Sequence, residues 1–155
     1  MTTSFIETEQ HRKMLLRRLE GQKLPFTVSV SRGKKRSFWQ NRLNRLWAGE
    51  IAEQLGDRTP EEVRGELKLT FGVPILCAEN EAFCEAYDKH VRPLPYETKL
   101  AIMREPLDFP VTRLMKTDQQ HRYLEAIFKF YTEQGVILTV PEDKRFGPAI
   151  GERIG

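Results

Sequence analysis

The residues best suited to chemistry form one run: Lys34-Lys35-Arg36-Ser37-Phe38-Trp39-Gln40-Asn41-Arg42-Leu43-Asn44-Arg45-Leu46-Trp47. Arg32 leads into it. The run places a basic turn at the start of a helix. Free backbone N–H groups and the positive end of the helix dipole attract a phosphate there. Arg42 and Arg45 are three apart, and Asn41 and Arg45 four apart, so they share a face. Gln40 and Asn41 carry amides that can reach base edges or sugars, or else brace the loop. Phe38 or Trp39 can stack on an unpaired base, a contact that suits single strands. The plainer alternative makes the two rings a packing wedge and the cations a solvated face. Trp47 lies on the apolar Leu43–Ile51 stripe and is expected in the core. The expected DNA-contacting set is Arg32, Lys34, Lys35, Arg36, Trp39, Gln40, Asn41, Arg42 and Arg45.

Other signatures are missing. No glycine-rich loop fits a P-loop or a dinucleotide fingerprint, and neither H-E-x-x-H nor G-x-S-x-G occurs. Glu61 and Glu62 stabilise a helix start. Glu97, Glu105 and Asp108 are the acids available to a two-metal nuclease site, but their spacing matches no known signature. His11, His90 and His121 lack ligand spacing, and His121 is expected to be a surface or partly packed residue. The expectation is no catalytic residue, no metal and no cofactor. Cys77 and Cys84, seven apart, would lie two turns apart on one helix, too distant to bridge within it, and are read as buried free thiols.

Charge is unevenly placed. The net charge is +3, yet residues 1–49 hold 11 Lys and Arg against three Glu, a balance of +8, and the remainder carries −5. A cationic first third on an acidic remainder suits a polyanionic partner. The chain has 155 residues, 39% of them hydrophobic and 30% charged, which fits one globular domain. No run approaches the ~18 apolar residues of a membrane span, and the N-terminus does not read as a secretory signal. The expected setting is a cytoplasm without membrane association.

The elements that must position these residues read as follows. Glu9 to Glu20 is a short amphipathic helix with Met14, Leu15 and Leu19 as its stripe. Phe26 to Ser31 alternates with period two, which predicts a half-buried strand with Phe26, Val28 and Val30 facing in. Ser37 and Gln40 form a capping box opening a helix to Leu55, with Leu43, Leu46, Trp47, Ile51 and Leu55 inward. Thr59-Pro60-Glu61-Glu62 is a second start signal, for a short helix that Gly72 should close. Val73-Pro74-Ile75 is a connector, and Glu79 to Val91 is helical. Tyr96 to Met103 is a further turn or two of helix, and Pro106 to Pro110 is extended. Val111 to Met115 reads as an edge strand. Thr117 to Gln120 is a third capping box, opening a long helix to Gln134 with Tyr123, Leu124, Ile127, Phe130 and Tyr131 inward and Gly135 at its C-cap. Val136 to Val140 is a strand. Glu142 onward is expected to be mobile. The expected fold is α+β: a helix-rich single domain with a small β-sheet and two main long helices, over residues 1–147, with a flexible C-terminal tail at 148–155.

Arg36-Ser37-Phe38-Trp39-Gln40-Asn41, then Leu46-Trp47 and Glu50-Ile51-Ala52-Glu53-Gln54-Leu55-Gly56, resembles the NinB (Orf) family of phage recombination proteins. That family typically shows a basic strand-to-helix turn, an R-S-L-x-Q-N start and a Trp about six residues on. The Thr-Pro-Glu-Glu-Val start, Leu67-Lys68, Thr112 to Met115, Tyr123-Leu124-Glu125 and Thr132 to Val136 also fit. The resemblance covers roughly Phe26 to Asp143, with Leu69 to Phe109 unmatched. It departs at Phe38, where Leu is usual, and at Trp39, where a polar residue is usual. The resemblance implies a non-enzymatic phage or prophage recombination mediator in the bacterial host cytoplasm. It implies binding to single-stranded DNA, contact with a single-strand-binding protein, and a homodimer. Two rival readings use the same residues differently. One is a small metal-dependent nuclease acting on recombination intermediates, with the basic helix as its clamp. The other is an interaction module whose basic face grips an acidic peptide.

Overall fold

A computed structural model describes residues 4–32 and 35–140, the side chains of 35–38 excepted. All regular structure among the described residues is helical: α1 (Glu9–Glu20), α2 (Lys35–Leu55), α3 (Pro60–Leu67), α4 (Val73–Glu79), α5 (Glu81–His90), α6 (Tyr96–Met103) and α7 (Thr117–Glu133), with a π-helical turn at Lys68–Gly72 and a 3-10 turn at Thr112–Leu114. No strand or sheet occurs among these residues, so the α+β expectation is corrected to an all-helical fold. Residues 141–155, including the expected flexible tail at 148–155, lie outside the described residues.

Each expected strand fails for its own reason. Phe26 to Ser31 has no regular structure, and Val28 is 47% and Val30 90% exposed, so the alternating pattern meets no second strand. A strand gains stability only with such partners. Val111 to Met115 winds into the 3-10 turn instead. Val136 to Val140 keeps its alternation: Val136 and Leu138 are buried and Ile137 is exposed. Its backbone, however, pairs with side chains of α2. Ile137 N–H donates to Gln54 Oε1 at 2.8 Å, and Gln54 Nε2 donates to the Ile137 carbonyl at 2.7 Å. Thr139 N–H donates to Glu50 Oε1 at 3.0 Å, and Trp47 Nε1 donates to the Thr139 carbonyl at 2.7 Å. Backbone polar groups need partners, and one face of a helix supplies what a neighbouring strand would have supplied.

The core forms where α2 packs on α3 and α7 and where α3 packs on α6. Leu43, Trp47, Ile51, Val63, Leu67, Leu124 and Ile127 are all at most 1% exposed. Leu46, Leu55 and Phe130, expected inward, are instead 45%, 39% and 42% exposed. The buried stripe is narrower than the spacing allows.

Thr59 caps α3 as expected, its hydroxyl accepting from Glu62 N–H at 3.1 Å. Gly72 does not close that helix. Residues 60–79 run on as one helical rod through the π turn, in which Val73 N–H donates to the Lys68 carbonyl, five residues back. Pro74 has no N–H and its ring crowds the carbonyl four residues earlier. The wider turn absorbs that defect without breaking the rod. Gly72 serves packing: a Cβ there would stand 2.6 Å from Val111 Cγ1. Gly72→Ala is expected to destabilise the protein by roughly 1–3 kcal/mol through overpacking, readable as a lower urea midpoint. An unchanged midpoint would show that Val111 moves aside freely.

α1 stands apart in kind. Thr8 caps it, yet it buries none of its residues. Gln120 and Thr117 also depart from expectation. α7 starts at Thr117 itself, and Gln119 Oε1 accepts the Lys116 N–H at 2.8 Å, so Gln119 closes the helix start. α7 ends at Glu133 with Gln134 as its C-cap, one residue before the expected Gly135, which follows the cap in a left-handed conformation, φ +90, that costs glycine least.

Candidate nucleic-acid interface

α2 begins at Lys35, two residues before the expected capping serine. Ser37 is therefore inside the helix, and Gln40 does not turn back to cap it. Gln40 is 1% exposed and its Nε2 donates to the Thr117 carbonyl at 3.4 Å. This bond ties α2 to the start of α7 and does not brace the basic loop. Asn41, Arg42 and Arg45 are exposed on α2, and Arg32 is exposed in the extended segment before it. Trp39 is half-buried, with the Arg42 guanidinium 5.7 Å from its ring centroid. Lys34 lies outside the described residues, as do the side chains of Lys35 and Arg36.

The acids and cations elsewhere are heavily cross-paired. Arg58 meets Glu66 at 2.6 Å, Arg64 meets Glu61 at 2.7 Å, and Arg122 meets Glu79. Arg92 meets Asp88 at 2.5 Å and Arg104 meets Glu62 at 3.6 Å. Among the described residues Arg45 and Arg32 have no such ion pair, and neither do Arg113 and Lys116. These cations keep their charge available to a partner.

Gln40, Asn41, Asn44, Thr112, Gln120, Tyr123 and Leu124 line a small niche. Arg45 follows Asn41 by one helical turn, and Arg113 follows Thr112 in the 3-10 turn. Sequence reasoning missed Asn44, Thr112, Arg113, Lys116, Gln120 and Tyr123. The available signal was Gln40 with Asn44, two amides four apart on the inward side of an otherwise apolar helix.

The acids of the nuclease reading are used differently. Asp108 accepts from Arg64 Nη2 at 2.7 Å and Lys68 Nζ at 2.8 Å. Glu105 N–H donates to Glu61 Oε1 at 2.8 Å. No group of three or more His, Cys, Asp or Glu among the described residues is placed to hold a metal ion. His121 Nε2 stands 2.8 Å from Glu125 Oε1. Cys77 and Cys84 are free and only partly buried. They occupy different helices, because Asn80 ends α4 and caps α5 through Phe83 N–H at 3.0 Å. Burial and the adjoining Cys84 thiol push the Cys77 thiol up to about 11, so it is a poor nucleophile.

No helix among the described residues is long and apolar enough to cross a membrane. No family model, curated protein or solved structure matches the chain.

Proposed function

We propose that this protein binds single-stranded DNA as a non-catalytic mediator of phage or prophage recombination, in the cytoplasm of the bacterial host. The resemblance of its α2 block and C-terminal helix to the NinB (Orf) family motivates the reading. The same resemblance motivates a homodimer and a single-strand-binding protein as second partner. The observation that carries DNA binding is the segregation of charge. Arg45 stands exposed and without an ion pair beside exposed Asn41, while the arginines from Arg58 to Arg104 and Arg122 are paired with acids. Unpaired cations can neutralise phosphates and so displace the counterions condensed on the nucleic acid.

Affinity for single strands is expected to fall steeply with salt. Arg36→Ala, Arg42→Ala and Arg45→Ala together should weaken binding at least about tenfold and reduce the slope of log K against log salt by about 2, near 0.7 per phosphate lost. Fluorescence anisotropy across a salt series reads both, with far-UV circular dichroism confirming the fold. Affinity within about twofold of the parent would place the DNA elsewhere. Mg²⁺-dependent cleavage of the oligonucleotide, abolished by a chelator, would replace mediation by nuclease activity.

A further inference from the structure

The niche at Asn41 is unusual in what it leaves unsatisfied. Gln40, Asn44, Gln120 and Tyr123 all line it, and Gln40 Oε1, Asn44 Oδ1, Gln120 Oε1 and the Tyr123 hydroxyl have no hydrogen-bond partner. All four side chains are deeply buried, at 1%, 8%, 7% and 1% exposure in that order. Native proteins rarely leave one such atom unmatched, so four around one void require an explanation. Two of the amides cannot simply turn over. Gln40 Nε2 is held by the Thr117 carbonyl and Gln120 Nε2 by the Thr112 carbonyl at 3.2 Å. Their oxygens are thereby aimed inward. With their NH2 groups held elsewhere, Gln40 and Gln120 can offer the niche only acceptor oxygens, whereas the Tyr123 hydroxyl can donate or accept. Its cavity is about 10 Å³, room for a single water-sized group.

An occupant must therefore be small at its tip, neutral or cationic, and able to donate two hydrogens. The lining holds no ionised side chain. Asn41, one of the lining residues, is exposed and lies on the helix face that carries Arg45. We propose that the niche receives the exocyclic amino group of an unpaired base, with the ring resting at the rim near Asn41 and Thr112. This rests on the single-strand reading above and gives that site a base preference. The amino group of cytosine or adenine places two N–H donors among amide oxygens. Thymine presents a carbonyl oxygen in the corresponding position, where it would face acceptors. The niche therefore discriminates amino-bearing bases from thymine, by the same donor-and-acceptor logic that reads base edges in duplexes.

The test measures the unmodified full chain by fluorescence anisotropy at one salt concentration. The probes are oligo(dC), oligo(dT), and oligo(dC) whose cytosines carry N4,N4-dimethyl groups. Oligo(dC) is expected to bind roughly tenfold tighter than oligo(dT), the size of a good base contact. Dimethylation, which removes both donors, is expected to abolish that advantage. Asn44→Leu with Gln120→Met should equalise the two homopolymers. The dimethylated probe decides the matter on the parent protein even where the variant folds poorly. Equal affinity for oligo(dC) and oligo(dT), or an advantage that survives dimethylation, would overturn the niche, leave single-strand binding standing, and assign the cavity to an internal water. Failure to bind any of the three would overturn single-strand binding and the niche together.

Discussion

Replacing Trp47 by alanine is expected to lower the unfolding free energy by about 3–5 kcal/mol, the range for deleting a fully buried large ring. For a domain of this size the melting temperature should drop by roughly 10 °C or more. Trp47 is 0% exposed and joins three parts of the chain. It belongs to α2, its ring lies 5.7 Å from that of Phe128 in α7, and its Nε1 donates to the Thr139 carbonyl at 2.7 Å. Alanine removes the packing and the donor together. Trp47→Phe separates them. It keeps most of the apolar volume and frees only a carbonyl on exposed Thr139, which water can reach. Its cost should be nearer 1 kcal/mol, the net worth of an ordinary hydrogen bond. Urea unfolding followed by far-UV circular dichroism reads both variants, with Trp39 left as a fluorescence reporter. A loss below about 1 kcal/mol for the alanine variant would be incompatible with the ring as the junction of α2, α7 and the last extended segment.

Asp108→Ala should rank next, at about 3 kcal/mol. Lys68 sits in the π turn with its side chain 2% exposed, and its ammonium reaches only Asp108 and the Met103 carbonyl, at 2.8 and 2.6 Å. Removing the carboxylate leaves a buried cation with one neutral partner, a loss usually worth 3–5 kcal/mol. The figure is reduced because Asp108 itself is 46% exposed and solvent screens the pair. It is raised again by the backbone. Asp108 has φ 47, a conformation that costs alanine roughly 1 kcal/mol and that Asp or Asn tolerates. Asp108→Asn should be milder, because its amide oxygen can still accept from Lys68 and Arg64 and asparagine tolerates this backbone conformation.

The same cluster predicts acid sensitivity. Burial alone would raise the Asp108 carboxyl, but hydrogen bonds from Lys68 and Arg64 outweigh it and hold it below its ordinary 3.8. The Arg64 guanidinium holds Glu61 below its ordinary 4.5. Both groups are acids with depressed native values. Their stabilisation is complete above the ordinary values and is lost as pH falls through the native ones, because the unfolded chain takes up protons first. Urea midpoints should decline below about pH 4.5, less steeply in Asp108→Asn. An identical decline in both proteins would exclude Asp108 as a contributor.

Helix positions were largely legible because capping and periodicity are local. Thr59-Pro60-Glu61-Glu62 needs no tertiary partner to start a helix, and Gly135 needs none to stop one. Trp47 was legible as core from its place between Leu43 and Ile51. Gly72 was not, since its role is a close approach by Val111, far along the chain. Cys77 and Cys84 were misplaced for a related reason: Asn80 outcompetes helix continuation by capping α5. In the candidate site, Asn41 and Arg45 were readable as one face by spacing alone. The fate of Gln40 was not, because a glutamine at that position can cap its own helix or reach another. The carbonyl of Thr117 decided between them.

What the chain's order of residues determined by itself was where α1 and α3 begin, that Leu43, Trp47 and Ile51 of α2 face the core, and that positive charge gathers before Gly49. Each follows from interactions within a few residues or from simple counting. Only the tertiary structure decided that Val136 to Val140 would lie on a helix rather than in a sheet, and that Gln40, Asn44, Gln120 and Tyr123 would meet around one void. An extended segment accepts any surface that satisfies its backbone, and side chains from two distant helices converge only once packing has fixed both.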